Sequence, residues 1–178
     1  MTASALVTVR AAEPGDAAAL VELASAVGAE PEGWLLSDAT WRSVADERRY
    51  VRALRRHPNG AVLVAEVEGV VAGRLSLARD PHPASAHVAD LGLMVAASHR
   101  RRGIGTALLR AAEEWATSAR VTKLELHVFP HNRAAIALYE KAGYDREGYR
   151  RGQYRRPDGR LVDAILMAKR VSVAESKS

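Results

Sequence analysis

Apolar and polar residues alternate from Leu6 to Val9, and Arg10-Ala-Ala-Glu-Pro14-Gly15-Asp16 breaks the alternation, which predicts a short first strand and a turn. Asp16 then precedes Leu20, Leu23 and Val27 at helical spacing and is placed to be the N-cap of a first helix. Gly28 to Ser37, with Trp34 in it, reads as a loop. Asp38 to Arg56 predicts a charged amphipathic helix carrying Trp41, Val44, Val51 and Leu54 on one side, stopped by His57-Pro58-Asn59-Gly60. Ala61–Val67 and Val70–Ala78 are two strands joined by the hairpin signal Glu68-Gly69. A strand over His87–Val95, a helix over Gly103–Ala119 and a strand over Lys123–Phe129 follow. Next come a helix capped by Asn132 and closed by Gly143, and a last hairpin of Tyr144–Tyr154 and Leu161–Lys169 around Pro157-Asp158-Gly159.

A strand, helix and strand in that order demand a right-handed crossover with parallel strands, while the flanking hairpins are antiparallel. The pattern therefore predicts an α+β fold on one mixed, mostly antiparallel sheet. It is read as one domain over residues 5–171, with 172–178 a flexible C-terminal tail.

Composition narrows the chemistry. The chain has 178 residues, enough for one well-packed core, and no cysteine, which removes disulfides, thiolate metal sites and a cysteine nucleophile. The first residues lack the pattern of a signal peptide and no apolar run is long enough to span a membrane, so a cytoplasmic protein with no membrane partner is expected. The net charge of +5 is concentrated at Arg100–Arg102 and between Arg146 and Arg160. The second run lacks the aromatic and glycine pattern of a single-strand-binding sheet, so a polyanionic small molecule is favoured over nucleic acid.

The basic, glycine-punctuated turn before the Gly103–Ala119 helix is where such an anion belongs. Two glycines there let backbone approach a ligand at the positive end of the helix dipole. A Rossmann turn would have its third glycine where Leu108 stands, and a P-loop would end Gly-Lys-Ser/Thr; neither fits. Arg100-x-x-Gly103-x-Gly105 instead resembles the Gln/Arg-x-x-Gly-x-Gly/Ala signature of the GNAT family of N-acetyltransferases. A second stretch, Asn132-x-x-Ala-x-x-Leu-Tyr139-x-x-x-Gly143-Tyr144, resembles that family's other hallmark. The two motifs together cover Ala89 to Tyr144.

The resemblance implies a three-layer α/β/α fold whose two central parallel strands splay to take acetyl-CoA. It places the cofactor against Leu93, Met94 and Val95, the turn residues Arg100, Arg101, Arg102, Gly103, Ile104, Gly105 and Thr106, and Asn132 and Tyr139. It also makes Tyr139 the group that meets the leaving sulfur. Asn132 and Tyr139 lie about two helical turns apart, on nearly one side of their helix.

Acyl transfer to an amine needs a proton acceptor, because a lysine-like amine with a pKa of about 10.4 is almost wholly protonated at neutral pH. Glu125 and His127, which share a strand face, Asp90 on the other strand, or a relay through water can serve. His87-Val-Ala-Asp90 and the segment Gly148–Met167 resemble the branch acting on free amino acids and similar small amines, while other relatives act on protein N-termini. Arg150, Arg151 and Arg155 are candidates to bind a substrate carboxylate. A cofactor-binding module without chemistry is the alternative from another class. Homodimers are common in the resembled family.

Overall fold

The computed structural model describes residues 6–36 and 41–172. In chain order the elements are β1 (Val7–Ala11), α1 (Ala17–Gly28), α2 (Val44–Leu54), β2 (Gly60–Val67), β3 (Val70–Arg79), β4 (Val88–Val95), α3 (Ile104–Ser118), β5 (Lys123–Val128), α4 (Arg133–Lys141), β6 (Asp145–Arg155) and β7 (Leu161–Arg170). The strands form one sheet in the order β1-β2-β3-β4-β5-β7-β6. Every neighbouring pair is antiparallel except β4 and β5.

Alternation along the strands fills both faces. On one face Val62 and Val64 pack with Leu20 of α1 and Val51 of α2. On the other, Leu63, Leu75, Leu77, Leu91, Leu124 and Leu126 pack with Leu108 and Leu109 of α3 and with Ile136 and Tyr139 of α4. The result is three layers, as the resemblance implied.

The second helix starts later than the apolar spacing predicts. Ser43 takes the N-cap with its hydroxyl accepting from the Asp46 N–H, so Trp41 and Arg42 precede the helix and Val44 is exposed. Asp38 to Thr40 lie outside the described residues. Asp16 occupies the cap position of α1, but its carboxylate holds Arg10 and the Glu13 N–H in place of a helix amide. The first strand runs on to Ala11 because β2 continues to pair with it.

Periodicity also gave no hint of the ion pair buried beneath α2. Glu47 is fully buried and Arg74 on β3 nearly so, 3.2 Å apart, with Arg42 adding a contact at 3.0 Å to the same carboxylate. Trp41 lies against both guanidinium groups. Desolvation pushes the Arg74 pKa below its usual value, and Glu47 opposes that push.

Candidate active site

Strands β4 and β5 pair only over Val88–Lys123, Ala89–Leu124 and Asp90–Glu125. Beyond that point β4 runs on to Val95, hydrogen-bonded to β3 on one side, while β5 runs to Val128, paired with β7. The two strands part like a fork. Among the described residues, backbone groups of β4 from Leu91 to Val95 that face β5 therefore have no strand partner, which is an edge suited to an extended chain.

At the crotch of the fork stand the two carboxylates. Asp90 and Glu125 occupy paired positions on neighbouring strands and point to the α1/α2 side of the sheet. Asp90 is reached by solvent through the cleft yet hemmed in by protein, and desolvation, helped by the charge on Glu125, pushes its pKa up to about 6. Two residues along β5, His127 shares the face of Glu125, and its Nδ1 is hydrogen-bonded to the Tyr154 hydroxyl at 2.6 Å. Desolvation and then the positive charge of Arg150 push His127 below its usual pKa, so it is neutral at pH 7. The three candidate bases thus lie on one face of the sheet, and one of them is bonded by Tyr154 of β6, which the sequence reading left unassigned.

Tyr139 approaches from α4, on the other side of the sheet. It is buried against Tyr144, with ring centroids 5.9 Å apart. Burial, with a smaller contribution from Asp90, raises its pKa far above the ordinary phenol value, so it keeps its proton. Asn132 caps α4, its side-chain oxygen accepting from the Ala135 N–H at 3.2 Å.

The turn after β4 has the backbone its motif requires. Arg101 and Gly103 have positive φ, 63° and 81°, and a Cβ on Gly103 would meet nothing within 4 Å, so open space faces the start of α3. At Gly105 a Cβ would lie 2.7 Å from Leu138 Cδ2; this glycine lets α4 lie close against α3. Arg101, Arg102 and Thr106 are exposed at the turn, and Ile104 is buried under it. Arg100 is engaged elsewhere: its guanidinium grips Glu30 with two bonds of 2.6 and 2.7 Å and its Nε donates to the Val95 carbonyl. Leu93 and Val95 are half-buried and Met94 is buried toward α1.

A glycine turn opening α3, a strand edge and a pair of carboxylates thus lie together along β4. The sequence model of the Acetyltransferase (GNAT) family matches residues 29–144. The chain belongs to the GNAT acetyltransferase family. L-amino acid N-acetyltransferase AaaT of Escherichia coli is 34% identical over 117 residues, 65% of this chain and 72% of that protein. Ribosomal-protein-alanine N-acetyltransferase of Brucella melitensis superposes with a TM-score of 0.81 at 28% identity, over 92% of this chain and 99% of that one. The protein yncA of Salmonella typhimurium, solved with its cofactor acetyl-CoA, shares the fold with a TM-score of 0.84 at 20% identity, over 97% and 98% of the two chains. As a GNAT enzyme this protein is an N-acetyltransferase and its cosubstrate is acetyl-CoA. Among the described residues no helix is long and apolar enough to cross a membrane, and no cluster of metal-ligating side chains occurs.

Proposed function

We propose that this enzyme acetylates the primary amine of a small molecule, with free amino acids as the leading class, by direct attack within a complex of both substrates. The observation that carries the reading is the Asp90–Glu125 carboxylate pair at the point where β4 and β5 part. Acetyl-CoA supplies an activated acetyl thioester. Its diphosphate would be held by backbone N–H groups from Arg101 to Thr106 and by the charges of Arg101 and Arg102, and its extended arm by the edge of β4 around Leu93 to Val95, apart from the Val95 carbonyl that Arg100 holds.

Asp90 accepts the amine proton, directly or through water. A base with a pKa near 6 is largely ionised at pH 7 and still basic enough to take a proton in flight. Glu125 keeps that basicity up and adds negative charge that draws an ammonium group into the cleft. His127, neutral and steered by Tyr154, is the second acceptor on the same face of the sheet. On the opposite side Tyr139, which retains its proton, donates a hydrogen bond to the departing sulfur. In free solution a phenol near 10 is about 1.5 units too weak an acid to protonate a thiolate near 8.5, and burial widens that gap, so donation without full transfer is its role.

The likeness to AaaT supports the amino-acid class. Arg150 supports it too, because it acts on His127 electrostatically and can meet a carboxylate beside the amine. The likeness to the ribosomal-protein-alanine enzyme favours a peptide N-terminus as the second reading. The test is release of free thiol from acetyl-CoA against free amino acids, their decarboxylated amines, polyamines and peptides beginning with alanine. Faster turnover of amino acids than of the matching amines supports the proposal, and preference for the peptides replaces it with the second reading. Absence of thiol release with every amine tested would leave only a cofactor-binding module.

A further inference from the structure

The arginine that opens the turn motif carries three well-formed bonds, two to Glu30 and one to the Val95 carbonyl. Arg100 Nη1 and Nη2 donate to the two oxygens of Glu30 at 2.7 and 2.6 Å, and Nε donates to the Val95 carbonyl at 3.1 Å. Glu30 is not free to leave. It lies just past the C-terminus of α1, and the Trp34 indole N–H donates to its Oε2 at 2.8 Å. The Trp34 ring stacks on His131, whose Nε2 bonds the Glu32 carbonyl at 2.9 Å. Arg156 donates to the Leu35 carbonyl at 2.9 Å from the last hairpin. The segment Glu30–Leu35 is thereby fastened to the tip of β4 through Arg100 and to the end of β5 through His131, across the mouth of the fork. The bonds from Arg100 and Trp34 hold the Glu30 carboxyl below its usual pKa, so the pair stays charged at neutral pH.

We infer that Arg100 is a positioning residue and not a phosphate ligand: Glu30 and the Val95 carbonyl hold its guanidinium through three of its five N–H groups, and this fixes the end of β4 and the turn that leads into α3. The inference rests on the proposed seat of the diphosphate, and it predicts the opposite sign from the obvious alternative. If Arg100 met the cofactor's phosphates directly, Glu30 would be a competitor and an unfavourable negative charge beside a polyanion. Glu30→Gln would then tighten binding. If the pair orients the turn, the same substitution loosens binding.

The experiment is calorimetric titration of acetyl-CoA into the full chain and its variants, with melting temperature measured alongside. Glu30→Gln and Arg100→Gln are each expected to weaken binding roughly tenfold, and the double variant no more than either alone, because the two side chains act as one unit. Arg100→Lys is expected to bind as poorly as Arg100→Gln, since an ammonium keeps the charge but cannot reproduce the fork, whereas Glu30→Asp recovers part of the loss. The KM for acetyl-CoA should rise with the dissociation constant while kcat holds, a split that general destabilisation does not produce. Unchanged or tighter binding in Glu30→Gln, full affinity in Arg100→Lys, or additive losses in the double variant would each overturn the inference. Gly103→Glu tests the seat separately. If that variant binds acetyl-CoA like the parent, it is the seat that is wrong, and if it loses binding, the Glu30 and Arg100 variants decide the positioning role.

Discussion

Replacing Glu125 by Gln should move the acidic limb of the reaction toward lower pH without abolishing it. Asp90 ionises near pH 6 because burial disfavours its charge first and Glu125 second. Adjacent strands lie about 4.8 Å apart, so carboxylates at paired positions on one face sit roughly 5 Å apart. Two charges at that distance repel by about 1–3 kcal/mol for effective dielectric constants between 80 and 20. Desolvation is the larger of the two causes, so Glu125 accounts for less than half of the rise from the usual aspartate value of about 3.9, which leaves about half to one pH unit. The sign follows directly: removing a neighbouring negative charge favours the ionised form of Asp90 and lowers its pKa. The assay is kcat/KM for the acceptor from pH 5 to 8 at saturating acetyl-CoA. In the parent enzyme the slope of log(kcat/KM) against pH should fall by one on passing pH 6, whatever the acceptor's own titration adds. In Glu125→Gln the break should sit about half to one unit lower, and in Asp90→Asn it should vanish. A break that stays put in both variants would remove Asp90 as the proton acceptor and leave the role to His127 or water.

Other consequences are simpler to measure. Tyr139→Phe should lower kcat roughly ten- to a hundredfold with little change in the KM for acetyl-CoA, and its pH profile below neutrality should match the parent's because the phenol never ionises there. Gly103→Ala should cost about 1–2 kcal/mol in denaturant unfolding from its left-handed backbone alone, whereas Gly105→Ala must displace Leu138 and should cost about 1–3 kcal/mol through separation of α3 and α4. Glu47→Ala should destabilise the fold by about 3–5 kcal/mol, since Arg74 is left charged and buried; replacing both by apolar residues should restore much of that loss in the same assay.

Local periodicity is a property of neighbouring residues, and what depends on neighbours was legible in the chain. The strand alternation from Ala61 to Ala78, the helix between Asn132 and Gly143 and the glycine turn before α3 all lie where spacing and turn residues put them. Ser43 could have been read as a cap, because Asp46 and Glu47 follow it as first-turn acids, but the apolar Trp41 and the charged run extended the predicted helix past it. The resemblance of Arg100-x-x-Gly103-x-Gly105 carried the family and the cosubstrate, which no local rule could supply.

Pairings between distant residues were decided only by the tertiary structure. Asp90 meets Glu125 because a right-handed crossover brings β5 alongside β4 in one particular register, and a shift of one residue would have turned either carboxylate to the opposite face. Arg100 is spoken for by Glu30, which lies 70 residues earlier in the chain, so a motif that names the arginine does not reveal its partner. Arg74 and Glu47 look like ordinary surface charges in sequence and become a buried pair once α2 covers β3. The chain's order specifies which elements form; register and crossover, set by burying both faces of one sheet, decide which charges meet and hence where the chemistry is done.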